Sequence, residues 1–272
     1  MLAAGLIVFR EMLEAALVTG IILAATRGVA GSRLFISGGV ILGLAGALVL
    51  ALFAETLSDT MNGMGQELFN AAVLGLAVVM LAWHTIWMSR HGREMAAQMR
   101  AVGSAVSSGS RPLSVLSVVV GVAVLREGAE TVLFLYGILA SDGDSLMATA
   151  FGALLGVVAG AGVGALLYAG LVAIPTRLLF GVTTWMVTLL AAGMAAQMVT
   201  FLSAAGVLDV AMDPVWDSSG LLAEDSLPGR LLHTLIGYID HPAWPQIIAY
   251  GLTLLVIAGA ARLVARPVRA QA

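Results

Sequence analysis

The chain has 272 residues, of which 60% are hydrophobic and 11% charged, and its formal net charge at pH 7 is -3. Soluble domains carry roughly 25% charged residues, so this composition excludes an ordinary water-soluble enzyme or binding module. So small a charge offers nothing to nucleic acid or another polyanion, and the absence of cysteine excludes disulfides, thiolate metal sites and thiol catalysis.

Apolar runs of the ~20 residues needed to cross a ~30 Å hydrocarbon core recur along the whole length. They predict helices at roughly 3–26, 34–56, 67–89, 113–139, 146–171, 178–204 and 245–264. The expectation is an all-α polytopic membrane protein with about seven transmembrane helices in one domain, 1–272. Met1 to Phe9 lacks a basic leader and a small-residue cleavage site, so the first helix is expected to be retained. All 13 basic residues are arginine. With Arg10 and Arg126 set aside as lying inside apolar segments, an outside N-terminus places ten on the inner side: Arg27, Arg33, Arg90, Arg93, Arg100, Arg111, Arg177, Arg262, Arg266 and Arg269. Only Arg230 falls outside, so the positive-inside rule predicts N-out and C-in. The outer segments are acidic, with Asp59, then Asp142 and Asp144, then Asp209, Asp213, Asp217, Glu224, Asp225 and Asp240 in the long loop 205–244. Such loops read as solvated surface, with a cation-focusing mouth as the functional alternative.

The chemistry lies in two R-E-x-x-E motifs within apolar sequence, Arg10-Glu11-Met12-Leu13-Glu14 in span one and Arg126-Glu127-Gly128-Ala129-Glu130 in span four. Ionisable residues at membrane depth cost several kcal/mol each, so they face a protein interior or a watery path. On a helix the three charged residues of each motif share one face. Arg10 is expected to pair with Glu14 and leave Glu11 uncompensated, and Arg126 to pair with Glu130 and leave Glu127 so. Each motif then carries a formal charge of -1, an arrangement improved by gaining a proton or a cation. Four converging carboxylates would make an all-oxygen site suited to hard cations, and would admit proton exchange as a coupling. A purely structural brace needs one carboxylate per arginine, whereas here there are two.

The motifs sit in helices of opposite direction, so spans 1–3 and 4–6 read as a 3+3 inverted repeat with a seventh helix added, an organisation that puts substrate near the midplane. Span five carries Gly152, Gly156, Gly160 and Gly164, and span two Gly39 and Gly43, small-residue ridges that allow close helix packing within or between chains. Glu55, Asp59 and Glu67 border the outer loop between spans two and three and are candidates for a path of approach. His84, beside Trp83 and near Trp87, is expected to take a hydrogen-bonded packing role, with proton relay as the alternative. Met61 and Met64 are a weak soft-metal alternative, and Gln197 is expected to bond a neighbouring helix.

The residues also carry a family likeness. Arg10 to Val18 (REMLEAALV) and Arg126 to Leu135 (REGAETVLFL) resemble the two signatures of the oxidase-dependent iron transporter family, the high-affinity iron permeases of bacteria and fungi. Gly63 to Arg90, with GQELFNAAVLGLAVVML and Trp87-Met88, is similar to the bacterial members' third span. VWDSSGLLAEDS, HTLIGY and Pro245 to Tyr250 are similar to their last loop and helix. The resemblance implies an iron permease, not an enzyme, of the bacterial cytoplasmic membrane. Iron ions would be the substrate and no cofactor would be permanently bound. Glu11, Glu14, Glu127 and Glu130 would be the metal ligands, with Arg10 and Arg126 as their ion pairs. It further implies a periplasmic iron-binding or oxidising partner protein beside the surrounding membrane lipid. Met12 and Ala129 depart from the family's usual residues without removing a ligand. Lead or another metal cation is an alternative substrate. An organic cation exchanged for protons is another, although no aromatic cage accompanies either motif. No zinc-protease motif, serine elbow or nucleotide-binding motif is present.

Overall fold

A segment surrounded by lipid must satisfy its own backbone N–H and C=O groups, and a helix does so within one stretch of chain. The computed structural model describes residues 1–60, 65–142, 145–170, 176–209 and 211–264, and in them the long apolar runs are all helical. In order they are α1 (Leu2–Ala25), α2 (Ser32–Thr60), α3 (Gln66–Ser107), α4 (Ser114–Asp142), α5 (Leu146–Tyr168), α6 (Thr176–Ala204), α7 (Leu227–Ile236) and α8 (Trp244–Val264). Among the described residues the one β pairing is an isolated bridge between Pro214 and Ala243, which pins the long loop to the start of α8.

Two features depart from the sequence expectation. Helix α3 runs well past residue 89 to Ser107, because the stretch after Met88 loses its apolar character but not its helix formers. It then docks on the end of α1, where the Ser107 hydroxyl donates to the Ala25 carbonyl at 2.8 Å. The short α7 lies inside the expected loop. Ser226 caps it by accepting from the Gly229 N–H, and Gly237 ends it at φ 69°, a left-handed conformation that costs glycine little.

Among the described residues, five segments are long and apolar enough to cross a membrane: 32–53 in α2, 66–88 in α3, α5, 181–204 in α6, and α8. Helices α1 and α4 are of similar length, but each is interrupted by the three charges of its motif. Large apolar side chains stand exposed around the outside, among them Ile41, Phe53, Val122, Val158 and Leu255. On a soluble protein so continuous an apolar surface would aggregate, so the chain is a multi-pass membrane protein.

The main helix pairs are α1 with α5, α2 with α4, and α3 with α6, with α8 laid against α6. Exchanging α1–α3 for α4–α6 maps this set of pairs onto itself. The glycine ridges make two of the pairs, and both pack within the chain. A methyl group on Gly160 of α5 would lie 2.8 Å from the Phe9 carbonyl oxygen, and one on Gly43 of α2 would lie 2.7 Å from that of Gly121. Each motif-bearing helix therefore rests backbone to backbone on a glycine ridge from the other half.

The core has two parts. One cluster gathers Ile7 of α1, Leu74 and Leu81 of α3, Phe134 and Ile138 of α4, and Met194 of α6. The other gathers Ala15 and Ile22 of α1, Ile36 of α2, Val106 of α3, and Leu116 and Val120 of α4. The motif charges of α1 and α4, and His84 of α3, fall between the two clusters.

Candidate metal centre

Helical spacing alone brings the charges of each motif together, and the packing of α1, α3 and α4 brings the two motifs to each other. Arg10, Glu11 and Glu14 are all buried. The Arg10 guanidinium reaches both carboxylates, with Nη1 3.3 Å from Glu11 Oε1 and Nη2 3.2 Å from Glu14 Oε1. Arg126 repeats the pattern, with Nη2 2.9 Å from Glu127 Oε1 and Nε 3.5 Å from Glu130 Oε1. The expected pairing of each arginine with only its i+4 glutamate is thus widened, because the guanidinium fork has donors enough for two acceptors. The expected shortfall survives at the level of single atoms. Glu11 Oε2 and Glu127 Oε2 are buried without a hydrogen-bond partner, a state that costs several kcal/mol unless a ligand satisfies it.

A third helix completes the cluster. His84 of α3 is buried between the motifs, with Nε2 3.4 Å from Glu14 Oε2 of the first and Nδ1 against Glu130 Oε2 of the second. Glu11, His84, Glu127 and Glu130 each offer a ligand atom, and these atoms lie within 4.8 Å of one another. Three of the four expected glutamates therefore converge on one point together with an imidazole nitrogen, so the set is not all oxygen. Glu14 stands at its edge, held by Arg10 and facing His84. Sequence reasoning assigned His84 to packing because a lone histidine in an apolar helix carries no motif. The available signal was its adjacency to Trp83, which is 73% exposed and so turns its neighbour inward.

The second motif opens on one side. The Arg126 side chain is 36% exposed, and its guanidinium lies 5.3 Å above the Trp87 ring, which in turn stacks on His91 at 4.9 Å. Glu67 is exposed in the first turn of α3, about 25 Å along the helix axis from His84. The side chains of Glu55 and Asp59, together with Met61, Met64 and Asp144, lie outside the described residues. Gln197 is half-buried in α6, where the polar link to α8 is made by Gln246 Nε2 donating to the Thr200 hydroxyl at 2.9 Å.

The long loop carries a separate exposed cluster. His241 Nδ1 is 2.6 Å from Asp240 Oδ1, and its Nε2 is 3.1 Å from Asp217 Oδ1. The hydrogen bond with Asp240 and the charge of Asp217 hold His241 above its usual range. Hydrogen bonds from Ser219 hold Asp217 below the usual carboxylate range, and the backbone N–H of Glu224 does the same for Asp240.

Comparison with known proteins identifies the relatives of the chain. The family model described as the iron permease FTR1 family matches residues 1–269. The chain is 32% identical over 253 residues to the ferrous iron permease EfeU of Escherichia coli, covering 92% of this chain and 91% of that one. It is 31% identical over 255 residues to EfeU of Shigella sonnei, covering 92% and 91%. To EfeU of Yersinia pestis it is 29% identical over 255 residues, covering 92% and 89%. No solved structure matches.

Proposed function

The chain belongs to the iron permease FTR1 family, a family of transporters and not of enzymes, and from that premise we propose that it carries ferrous iron inward across the bacterial cytoplasmic membrane. Support for the ferrous form comes from the relatives, which are named as ferrous iron permeases. In this reading the whole chain is one permease domain with seven spans, α1–α6 and α8, N-out and C-in. Halves α1–α3 and α4–α6 form an inverted pair, and the self-mapping set of helix pairs supports it. Iron is handed over outside by a periplasmic iron-binding partner that leaves it in the ferrous state. It passes the acidic segments around Glu55, Asp59 and Glu67, and is bound by Glu11, Glu14, Glu127 and Glu130.

The observation that carries the reading is the meeting of both motifs in one buried cluster whose carboxylates retain unpartnered oxygens. With every carboxylate ionised and His84 neutral, four glutamates face two arginines, a formal charge of -2 that a divalent cation cancels. A brace would have paired its charges fully, and an organic cation would find no aromatic cage.

The test is radioactive iron uptake into proteoliposomes by the wild type and by Glu11→Ala, Glu14→Ala, Glu127→Ala and Glu130→Ala. The expected outcome is robust uptake by the wild type and loss in Glu11→Ala and Glu127→Ala, in proteins that still insert and run as folded species. Uptake unchanged in all four would make the clusters structural and end the proposal.

A further inference from the structure

His84 stands in the cluster without belonging to either motif, and its surroundings are those of a ligand. Its imidazole has a carboxylate at each nitrogen, Glu14 at Nε2 and Glu130 at Nδ1, one from each motif. Two carboxylates facing both nitrogens can be bridged by an imidazolium, or by a neutral ring that ligates a cation shared with them. Ligands on opposite sides of a transition-metal ion lie about 4 Å apart. The donor atoms of Glu11, His84, Glu127 and Glu130 lie within 4.8 Å of one another, so a small inward movement closes the set. Buried oxygens of Glu11 and Glu127 without partners belong to the same group of residues.

We propose that His84 is a metal ligand that joins the two motifs into one mixed nitrogen–oxygen site and sets its preference for transition-metal dications over calcium and magnesium. The inference rests on the iron site described under the proposed function and adds to it a ligand from a third helix. Carboxylates alone suit calcium and magnesium as well as iron. A neutral imidazole is a poor ligand for those hard ions and a good one for ferrous iron, so the nitrogen supplies discrimination that four glutamates lack. His84 also gives the site a structural consequence, since α3 must stay in register with α1 and α4 for the ion to be held.

The experiment uses the full chain in lipid nanodiscs under anaerobic conditions. Ferrous iron binding is measured by equilibrium dialysis, with calcium and magnesium as competitors, in the wild type, His84→Gln, His84→Ala and Glu11→Gln. In parallel, pulsed electron paramagnetic resonance of bound manganese(II) reports whether an imidazole nitrogen is coordinated in the unmutated protein, a readout independent of how any variant folds. The expected result is imidazole coupling in the wild type, lost in His84→Gln. Iron affinity should fall about tenfold or more in that variant, while calcium affinity changes little. If His84→Gln keeps iron affinity and selectivity and the wild type shows no nitrogen coupling, while Glu11→Gln abolishes binding, the inference is overturned and the carboxylate site stands. If the wild type binds neither iron nor manganese, the inference falls together with the site on which it rests.

Discussion

The two motifs carry the same charged residues at the same spacing and live in different surroundings. Arg10 is 1% exposed and held between two buried glutamates. The Arg126 side chain is 36% exposed and leans on Trp87. A motif sets which side chains meet, while the neighbouring helices set what those charges cost. A guanidinium closed in by protein is indispensable to the buried carboxylates it neutralises, whereas a partly exposed one is held less tightly.

The comparison can be broken most directly at the arginines. Arg10→Ala leaves buried carboxylates uncompensated and is expected to destabilise the protein by about 3–5 kcal/mol. Arg126→Ala also strips a partner from buried Glu127 but starts from a partly exposed guanidinium, and is expected to cost less, about 1–3 kcal/mol. Thermal unfolding in detergent measures both, and equal losses would erase the asymmetry. Next come the ridges on which the motif helices rest. Gly160→Ala and Gly43→Ala each force a methyl group against backbone, at an expected cost of about 1–3 kcal/mol. Iron uptake should suffer more from Gly160→Ala, which displaces α1 beside its motif. Uptake losses in the opposite order would shift the weight to the second motif.

A finer test is Trp87→Ala, expected to cost about 0.5–1 kcal/mol through the lost ring–guanidinium contact. Its cost should shrink in an Arg126→Ala background to what the His91 stack contributes, as a double-mutant cycle would register. The smallest effect belongs to the exposed loop, which shows what ion pairs amount to in water. His241 is raised, so its contribution is complete below its usual value of 6.5 and fades as the pH rises through the raised one. Asp217 and Asp240 are lowered, so theirs is complete above the usual 3.8 and fades as the pH falls through the lowered values. The loop should therefore be most protected between about pH 4 and 6.5. Hydrogen exchange over residues 215–241 is the readout, and protection that does not fall as the pH rises well above 6.5 would show that the His241 pairs contribute nothing.

Much of the fold was legible because lipid imposes a simple rule, one long apolar run for each helix. The motif glutamates were legible for the opposite reason, since charge at membrane depth stands out against such a background. Legibility failed where local signals did not change with structure. Helix α3 continues past Met88 although hydropathy falls there, and α7 is a ten-residue helix in a polar loop. His84 had no spacing partner to mark it, because its partners come from other helices. The split between Arg10 and Arg126 was invisible for the same reason, as identical local patterns cannot report different neighbours. The glycine ridges showed a need for close packing but not their partners, which turned out to be the motif helices themselves.

The two apolar clusters above and below the charged layer have an electrical consequence. A membrane voltage falls mainly across material that holds no mobile charge, so on the proposed path the drop would concentrate in these apolar layers. An ion crossing one of them would take a large share of the field in one short move. A doubly charged ion crossing the entire drop gains about 4.6 kcal/mol per 100 mV, twice the gain of a single charge. On a membrane negative inside, uptake should steepen with hyperpolarisation set by a potassium gradient and valinomycin. The greasy layers that insulate the site would then be the parts that couple it to the cell's battery.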